Sequence, residues 1–432
     1  MSDLQAETTA LLQELIRFDT VNPPGNERAA QERLAAYLGD AGLETTLVGA
    51  EPGRPNLVAR LRGDEPGPAL CLLSHVDTVL AEPGEWSHDP WSGDLADGFL
   101  WGRGALDMKS QTAAEAVAAA TLAREGWRPA RGDLLVVSVV DEETGGGLGA
   151  RWLCAEHPEL VRCDWLLNEG GGEVIPYDGR RLYGICCGEK GVYRFRLSTT
   201  GVAGHASIPA MGDNALLKMA PILERLGAAQ PSWEPTEIAR GFLRGLGEDP
   251  DDPAAAVASV AARDPLLAVL VAPVLGVTLT PTRISASEKI NVIPSRATLG
   301  VDCRVPPGLG EEAARRGIEE VLGPDGYELE FSETVRGNGS LPEGPLHDAL
   351  AEWVAAQDPG AETIPVILPG YTDSVAFRDA FPDMVAYGFF PQRHMTIYDT
   401  APLIHSADER IDVRDLGFAA ACYRDVARRL LG

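Results

Sequence analysis

The sequence predicts an α/β fold: a layered sheet covered by helices on both faces, with a smaller α+β domain inserted into it. Two observations predict the main domain. Its apolar runs, "NLVARL", "ALCLLSHVD", "DLLVVSVVDEE" and "DWLLNEG", are continuous rather than alternating, the pattern of strands buried on both faces. Helical stretches stand between these runs, as crossover connections in a layered sheet require. A third observation marks the insertion. From about residue 190 the runs alternate, as in "GVYRFRLSTTG", like strands with one wet face.

The elements follow in order. Leu11, Leu12, Leu15 and Ile16 share one face of a helix that stops before "NPPGN", where prolines forbid continuation. A second helix runs through Leu34, Tyr37 and Leu38 to a stop near Gly42. The buried strands come next, with an alanine-rich helix over about 110–123 and another from Leu148. In the insertion a helix lies near 215–226, and "INVIPSRATLGVDCRV" returns as strands. The stretch 233–275, with "GEDPDDPAAAVASVAARDP", reads as a Pro/Ala-rich loop carrying one or two helices. The α/β texture resumes near Pro307 and ends in a helix carrying Phe418, Ala421, Tyr423 and Val426. The main domain is therefore expected at 1–189 and 306–432, and the inserted one at 190–305.

At 432 residues the chain has room for two domains, and 45% hydrophobic with 23% charged residues is the balance of a globular protein. A net charge of −27 argues against a nucleic-acid partner, because a phosphate backbone would be repelled. Most of that excess reads as solvated surface, with part of it available to a metal site. Seven cysteines form no CxxC pair or disulfide framework, so they read as small buried residues in a reducing, cytoplasmic compartment. No basic segment followed by an apolar one opens the chain, and no run reaches the ~18 apolar residues of a membrane span. The four lysines, Lys109, Lys190, Lys218 and Lys289, have no functional account at this level.

Three of the apolar strands end in chemistry. "CLLSHVD" delivers His75 and Asp77, "LLVVSVVDEE" delivers Glu142 and Glu143, and "DWLLNE" delivers Glu169. Ligands of open α/β sheets bind beyond the carboxyl ends of strands, where these groups would converge. "GRGALDMKS" adds Asp107 at a loop-to-helix junction, and "LIHSADERI" brings His405 from far downstream. Each piece has an ordinary explanation: a histidine hydrogen-bonding at a strand end, adjacent acids on a wet loop, an aspartate as N-cap. Together, carboxylates gathered at one sheet edge repel one another unless a cation holds them. Two histidines and three or four carboxylates suit zinc or a similar divalent ion, and two ions sharing one carboxylate would use them economically.

With "SHVDTV", "GRGALDMKS", "DEETGG", "NEGGG", "GVAGHASIPAMGDNA", "KINVIPSRATLGVDCRVPPG", "PGYTDSVAFR" and "IHSADERI" in order, the chain resembles the M20 family of metallopeptidases and amidohydrolases. That family includes aminoacylases, succinyl-diaminopimelate desuccinylases, acetylornithine deacetylases and glutamate carboxypeptidases. The resemblance covers nearly the whole chain. It implies a mixed-sheet, phosphorylase/hydrolase-like catalytic domain and an inserted lid and dimerisation domain. It further implies two Zn2+ ions, with Co2+ or Mn2+ as substitutes. His75, Asp107 and Glu169 would hold one ion, and Asp107, Glu143 and His405 the other. Glu142 matches the family's general base, and Asp77 the acid that orients the metal-binding imidazole. A cis peptide is implied at Asp107–Met108. His205 resembles the lid histidine that reaches a partner subunit's site and stabilises the oxyanion, which makes the protein a homodimer through the lid. Capping of a helix near Pro209 is the plainer role for that residue. Asn291, Arg304 and Arg378 match substrate-binding positions, with roles in the lid sheet and hinge as alternatives for Asn291 and Arg304. His88, His157, His347 and His394 match no motif.

The implied activity is hydrolysis of a peptide or N-acyl amide bond in a small substrate such as a peptide or N-acyl amino acid. One position departs from the pattern. Relatives that grip a substrate carboxylate carry an arginine two residues after the "TD" aspartate, where this chain has Val375. Valine cannot replace a bidentate guanidinium. A carboxylate-free amide or an aminopeptidase-type substrate is therefore the alternative within the family. A catalytically silent binding protein is the alternative outside enzymes.

Overall fold

Strands apolar on both faces need cover on both sides, and the computed structural model, which describes residues 2–229 and 232–432, shows how the chain supplies it. The chain divides into two compact units. One comprises Met1–Cys187, Ser340–Val366 and Thr372–Gly432; the other comprises Gly188–Gly339 and Ile367–Tyr371.

The first unit is built on a mixed ten-stranded sheet. At its centre Leu70–His75 runs parallel to Asp133–Val139 on one side and Trp165–Asn168 on the other. Val385–Gly388 continues the parallel set beside Trp165–Asn168. Asn56–Arg62 and Glu44–Val48 extend one flank antiparallel, and Arg180–Glu189 with Glu173–Tyr177 do so on the other. All six residues of Leu70–His75 are buried. Cys71 and Leu73 enter a cluster with Leu153 and Phe377, from the helices Ala150–Glu156 and Ser374–Ala380. Neighbours on a strand point opposite ways, so Leu70 and Leu72 look to the other face, where Lys109–Arg124 and Val413–Leu431 pack.

Alanine sets the closeness of that packing. Lys109–Arg124 has alanine at six of the eight positions from Ala113 to Ala120 and buries nearly its whole circumference against the sheet, Ser2–Ile16 and Val413–Leu431. Lys109 itself is fully buried. Its ammonium donates to the carbonyls of Leu15 and Phe18 at 3.0 and 2.9 Å, satisfying acceptors left open where the first helix ends before "NPPGN".

The second unit is α+β, with a six-stranded antiparallel sheet whose middle strands are Gly276–Ser285, Arg296–Val305 and Phe195–Thr200. Leu299, Val301 and Cys303 pack one face against the helices Ala215–Ala228 and Glu311–Leu322. The other face carries Arg296, Thr298 and Arg304. This unit runs past residue 305 to Gly339, because Glu311–Leu322 covers its sheet and Glu328–Phe331 pairs with Phe195–Thr200. The stretch expected to be a loop with one or two helices holds three: Glu237–Leu246, Pro253–Arg263 and Pro265–Val271. Two of its prolines stand in the first turn, where a missing N–H costs nothing, behind the N-caps Asp252 and Asp264. They start helices rather than break them. Among the described residues no helix is long and apolar enough to cross a membrane.

Candidate metal centre

The carboxyl ends of the three parallel strands bring the predicted groups of the first unit together. His75 closes its strand with its ring 1% exposed, and its Nε2 lies 3.2 Å from Asp107 Oδ1, 3.8 Å from Glu169 Oε1 and 4.0 Å from Glu142 Oε2. His405 Nε2 faces the other oxygen of Asp107 at 3.0 Å and Glu143 Oε2 at 3.4 Å. Two triads result, His75–Asp107–Glu169 and Asp107–Glu143–His405, each with its candidate ligand atoms within 4.8 Å of one another. Asp107 belongs to both.

Local backbone explains each placement. His75 Nδ1 sits 3.0 Å from the carbonyl oxygen of Asp77 and 3.5 Å from its Oδ1, which leaves Nε2 to face the cluster. Asp77 does more than orient this ring. Its Oδ1 accepts the backbone N–H of Glu142, and its Oδ2 accepts that of Glu143 and the amide of Asn22, at 3.2, 3.2 and 2.9 Å. One buried carboxylate thus fixes both the imidazole and the two-glutamate turn. Asp141, just before that turn, has a φ of 72°, and its side chain takes Thr144 Oγ1 and the N–H of Leu148 while facing Arg54 at 3.3 Å. The peptide Asp107–Met108 is cis, as the motif implied.

A second buried carboxylate fixes the loop bearing Asp107. Glu409 accepts the N–H groups of Leu106 and Asp107 at 2.6 and 3.0 Å on one oxygen. Its other oxygen takes Gly104 N–H at 3.2 Å and Arg103 Nη1 at 2.5 Å. Because Glu409 follows His405 by four residues, the segment that brings one imidazole also clamps the shared aspartate. Asp373 is a third buried acid that sequence reasoning passed over; one of its oxygens has no hydrogen-bond partner. Burial, and then the charges of Asp77 and Glu169, push its carboxyl up to about 8.

The electrostatics are those of a site wanting cations. Burial pushes Glu142 well above the usual carboxylate range, with the Glu169 charge adding to it. Burial and the Asp107 charge raise Glu169 to about 7. Asp107 goes the other way: burial opposes its ionisation, but the two imidazoles facing it outweigh that and hold it well below the usual range. Asp107 and Glu143 raise His405 to about 10, and carboxylates lift His75 against the effect of burial. Protons on the imidazoles thus compensate the acids. His75 Nε2 is buried without a hydrogen-bond partner, although oxygens surround it at 3.2–4.0 Å. A ring nitrogen facing carboxylates without bonding to them is the donor set a divalent ion completes, and imidazole with carboxylate suits zinc, manganese or cobalt.

The remaining candidates stand elsewhere. His205 is exposed in the second unit, its Nδ1 2.7 Å from Ser207 Oγ and 3.2 Å from Ser207 N. Asn291 lies beside it in the chain fold, its carbonyl accepting Ala206 N–H at 3.1 Å. Arg304 pairs with Asp302 at 2.7 Å. Arg378 is buried in the first unit and donates to the carbonyl of Ala386 at 2.8 Å, and Val375 is buried on the same helix.

Known proteins resemble this chain over nearly its whole length. Residues 71–429 match the family described as Peptidase family M20/M25/M40. A succinyl-diaminopimelate desuccinylase of Rhodospirillum centenum is 28% identical, covering 97% of this chain and 96% of its own. Among solved structures, an M20 family metallo-carboxypeptidase from Sulfolobus solfataricus superposes with a TM-score of 0.71 at 18% identity, over 98% of this chain and 99% of its own. A dinuclear metal-binding M20 peptidase from Bacillus subtilis does so with a TM-score of 0.59 at 14% identity, over 100% and 99%.

Proposed function

Because the chain belongs to peptidase family M20/M25/M40, whose members are metal-dependent hydrolases of amide bonds, we propose that it cleaves a peptide or N-acyl amide bond in a small substrate with two divalent ions, zinc in the first instance. The observation that carries this reading is Asp107, whose two oxygens face two separate imidazoles, each completed by one further glutamate. His75, Asp107 and Glu169 would hold one ion and Asp107, Glu143 and His405 the other. When bound, such ions acidify a water and polarise the scissile carbonyl.

Glu142 is the proton carrier. It is the one glutamate of the cluster that belongs to neither triad, yet its Oε2 lies 4.0 Å from His75 Nε2. Beside two dications it would be a carboxylate despite the burial that raises its proton affinity without them, able to take the attacking water's proton and return it to the leaving nitrogen. Asp77 positions this base through the Glu142 N–H and the His75 ring together. His205, acting from a partner copy's lid, would donate to the developing oxyanion. On this reading the working form is a cytoplasmic homodimer. Asn291, Arg304 and Arg378 are the proposed substrate contacts.

The substrate is an N-acyl amino acid or dipeptide, in keeping with relatives named as desuccinylases. Val375 favours a second reading, an amide lacking the free carboxylate. Hydrolysis of N-succinyl, N-acetyl and dipeptide substrates, and of their carboxamide counterparts, by zinc-, cobalt- and manganese-loaded protein tests both. Turnover that needs metal and falls at least ~1000-fold in Glu142→Gln supports the mechanism. Preference for carboxamides selects the second reading. Undiminished turnover by Glu142→Gln refutes the assignment of the base.

A further inference from the structure

The face of the second unit's sheet turned away from its helices carries an arginine pattern that the proposed hydrolysis does not use. Arg283, Gly300, Arg196 and Glu330 stand in one row across four adjacent strands, because Arg283 pairs with Gly300, Gly300 with Arg196 and Arg196 with Glu330. In-register residues point to the same face, so the two guanidinium stems flank a position with no side chain. Their Cα atoms are two strand spacings, roughly 10 Å, apart. Two residues along, Ser285, Thr298 and Ser198 form a second row of three hydroxyls on that same face. A cavity of about 390 Å³ lies over these rows, with Arg296 at its end.

Two features distinguish this from an ordinary polar surface. The first is how Arg283 reaches the face. Between Pro281 and Arg283 the strand carries a bulge: Pro281 opposes Val301 and Arg283 opposes Gly300, so Thr282 is extra. Without that residue, Arg283 would fall on the helix-covered side, since a one-residue shift inverts a strand's faces. The second is charge. In a chain of net charge −27, the neighbouring arginines are neutralised: Arg194 by Asp302 and Glu333, Arg304 by Asp302, and Arg296 by Glu328. Arg196 and Arg283 have no such ion pair among the described residues, and even Glu330, in register with Arg196, makes none. Two cations left unpaired on either side of a glycine, above a row of hydroxyl donors, match the needs of a phosphate or carboxylate group.

We propose that this face is an oxyanion-binding site in which Arg196 and Arg283 clamp the anion, Gly300 leaves room for it, and Ser198, Ser285 and Thr298 supply further donors. The site lies wholly within the second unit and needs no metal. Its ligand is a small molecule bearing a phosphate or carboxylate.

The test is calorimetric titration of inorganic phosphate, and separately of succinate, into the full chain after metal removal, at constant ionic strength. Metal removal excludes phosphate capture by the metal centre. Saturable one-to-one binding is expected, weakened at least ~10-fold by Arg196→Gln and again by Arg283→Gln. Gly300→Asp gives a second variant that keeps both arginines. Its Cβ meets only ordinary contacts, 3.5 Å from Arg283 Cβ, and its carboxylate would occupy the clamp. It should abolish binding. Phosphate alone binding identifies a phosphorylated ligand, succinate alone an acidic metabolite, and both a general oxyanion site. Absence of saturable binding by either, or variants that bind as the parent does, overturns the proposal.

Discussion

Asp77→Asn changes one atom at the point where three hydrogen bonds and an imidazole meet. The carboxylate splits its acceptors, with Oδ1 serving Glu142 N–H and Oδ2 serving Glu143 N–H and the Asn22 amide. An asparagine has one oxygen, so whichever way it turns, its NH2 group confronts at least one backbone N–H. The residue is fully buried, so bulk solvent does not supply the lost acceptor. One unsatisfied buried donor costs about 1–3 kcal/mol, and the surviving bonds, no longer charge-assisted, lose about 1 kcal/mol each. The total is about 3–5 kcal/mol. It falls on the first unit's stability and on the placing of Glu142. Urea unfolding of the metal-free protein followed by tryptophan fluorescence reads the first part, since every tryptophan but Trp233 belongs to that unit. The variant should unfold at markedly lower urea, bind zinc more weakly and turn over ~100-fold more slowly or worse. An unchanged midpoint with zinc affinity within twofold of the parent would refute the role given to Asp77.

Three further outcomes follow from the same structure. Glu409→Gln leaves Arg103 buried without its counter-charge and should cost about 3 kcal/mol in urea unfolding while loosening metal binding through the Asp107 loop. Lys190→Met strands the carbonyls of Pro273 and Gly276, which the buried ammonium now satisfies at 2.5 and 2.8 Å; a loss of about 2–4 kcal/mol should show as faster proteolysis across 246–276. The metal-free protein should lose stability as pH rises from 5 to 9. Glu142, Glu169, Asp373, His75 and His405 all have raised proton affinities in the fold and outnumber Lys109 and Lys190, which burial lowers to about 7, so the folded state holds more protons than the unfolded one through that window. Thermal melting should show that decline without metal and a much smaller one with zinc, which takes the protons' place.

The sequence carried the strand ends well because their signal is local. A buried run such as "CLLSHVD" must stop where its polar residues begin, and three such stops at one sheet edge bring His75, Glu142, Glu143 and Glu169 together. Supporting interactions were harder to read. Asn22, in a stretch legible only as a helix stop, donates to Asp77 across more than fifty residues. Glu409 was visible as part of a motif, but its four donors, spread over Arg103 to Asp107, appear only once the loop is folded. Lys109 and Lys190 looked like two unexplained lysines and prove to be buried ties on backbone carbonyls, which composition cannot distinguish from surface charge. The 233–275 stretch misled for the opposite reason: prolines that usually punctuate loops here occupy the first turn of helices.

On the proposed reading one aspartate, Asp107, serves two metal ions. Metal content per chain after zinc loading and removal of free ion, measured by elemental mass spectrometry on the parent and on Asp107→Asn, addresses it most directly. Two ions per parent chain and fewer than two per variant chain are expected, because the single oxygen of asparagine can face only one of the two imidazoles. A parent that never holds more than one ion, or an Asp107→Asn variant that keeps two, would contradict it.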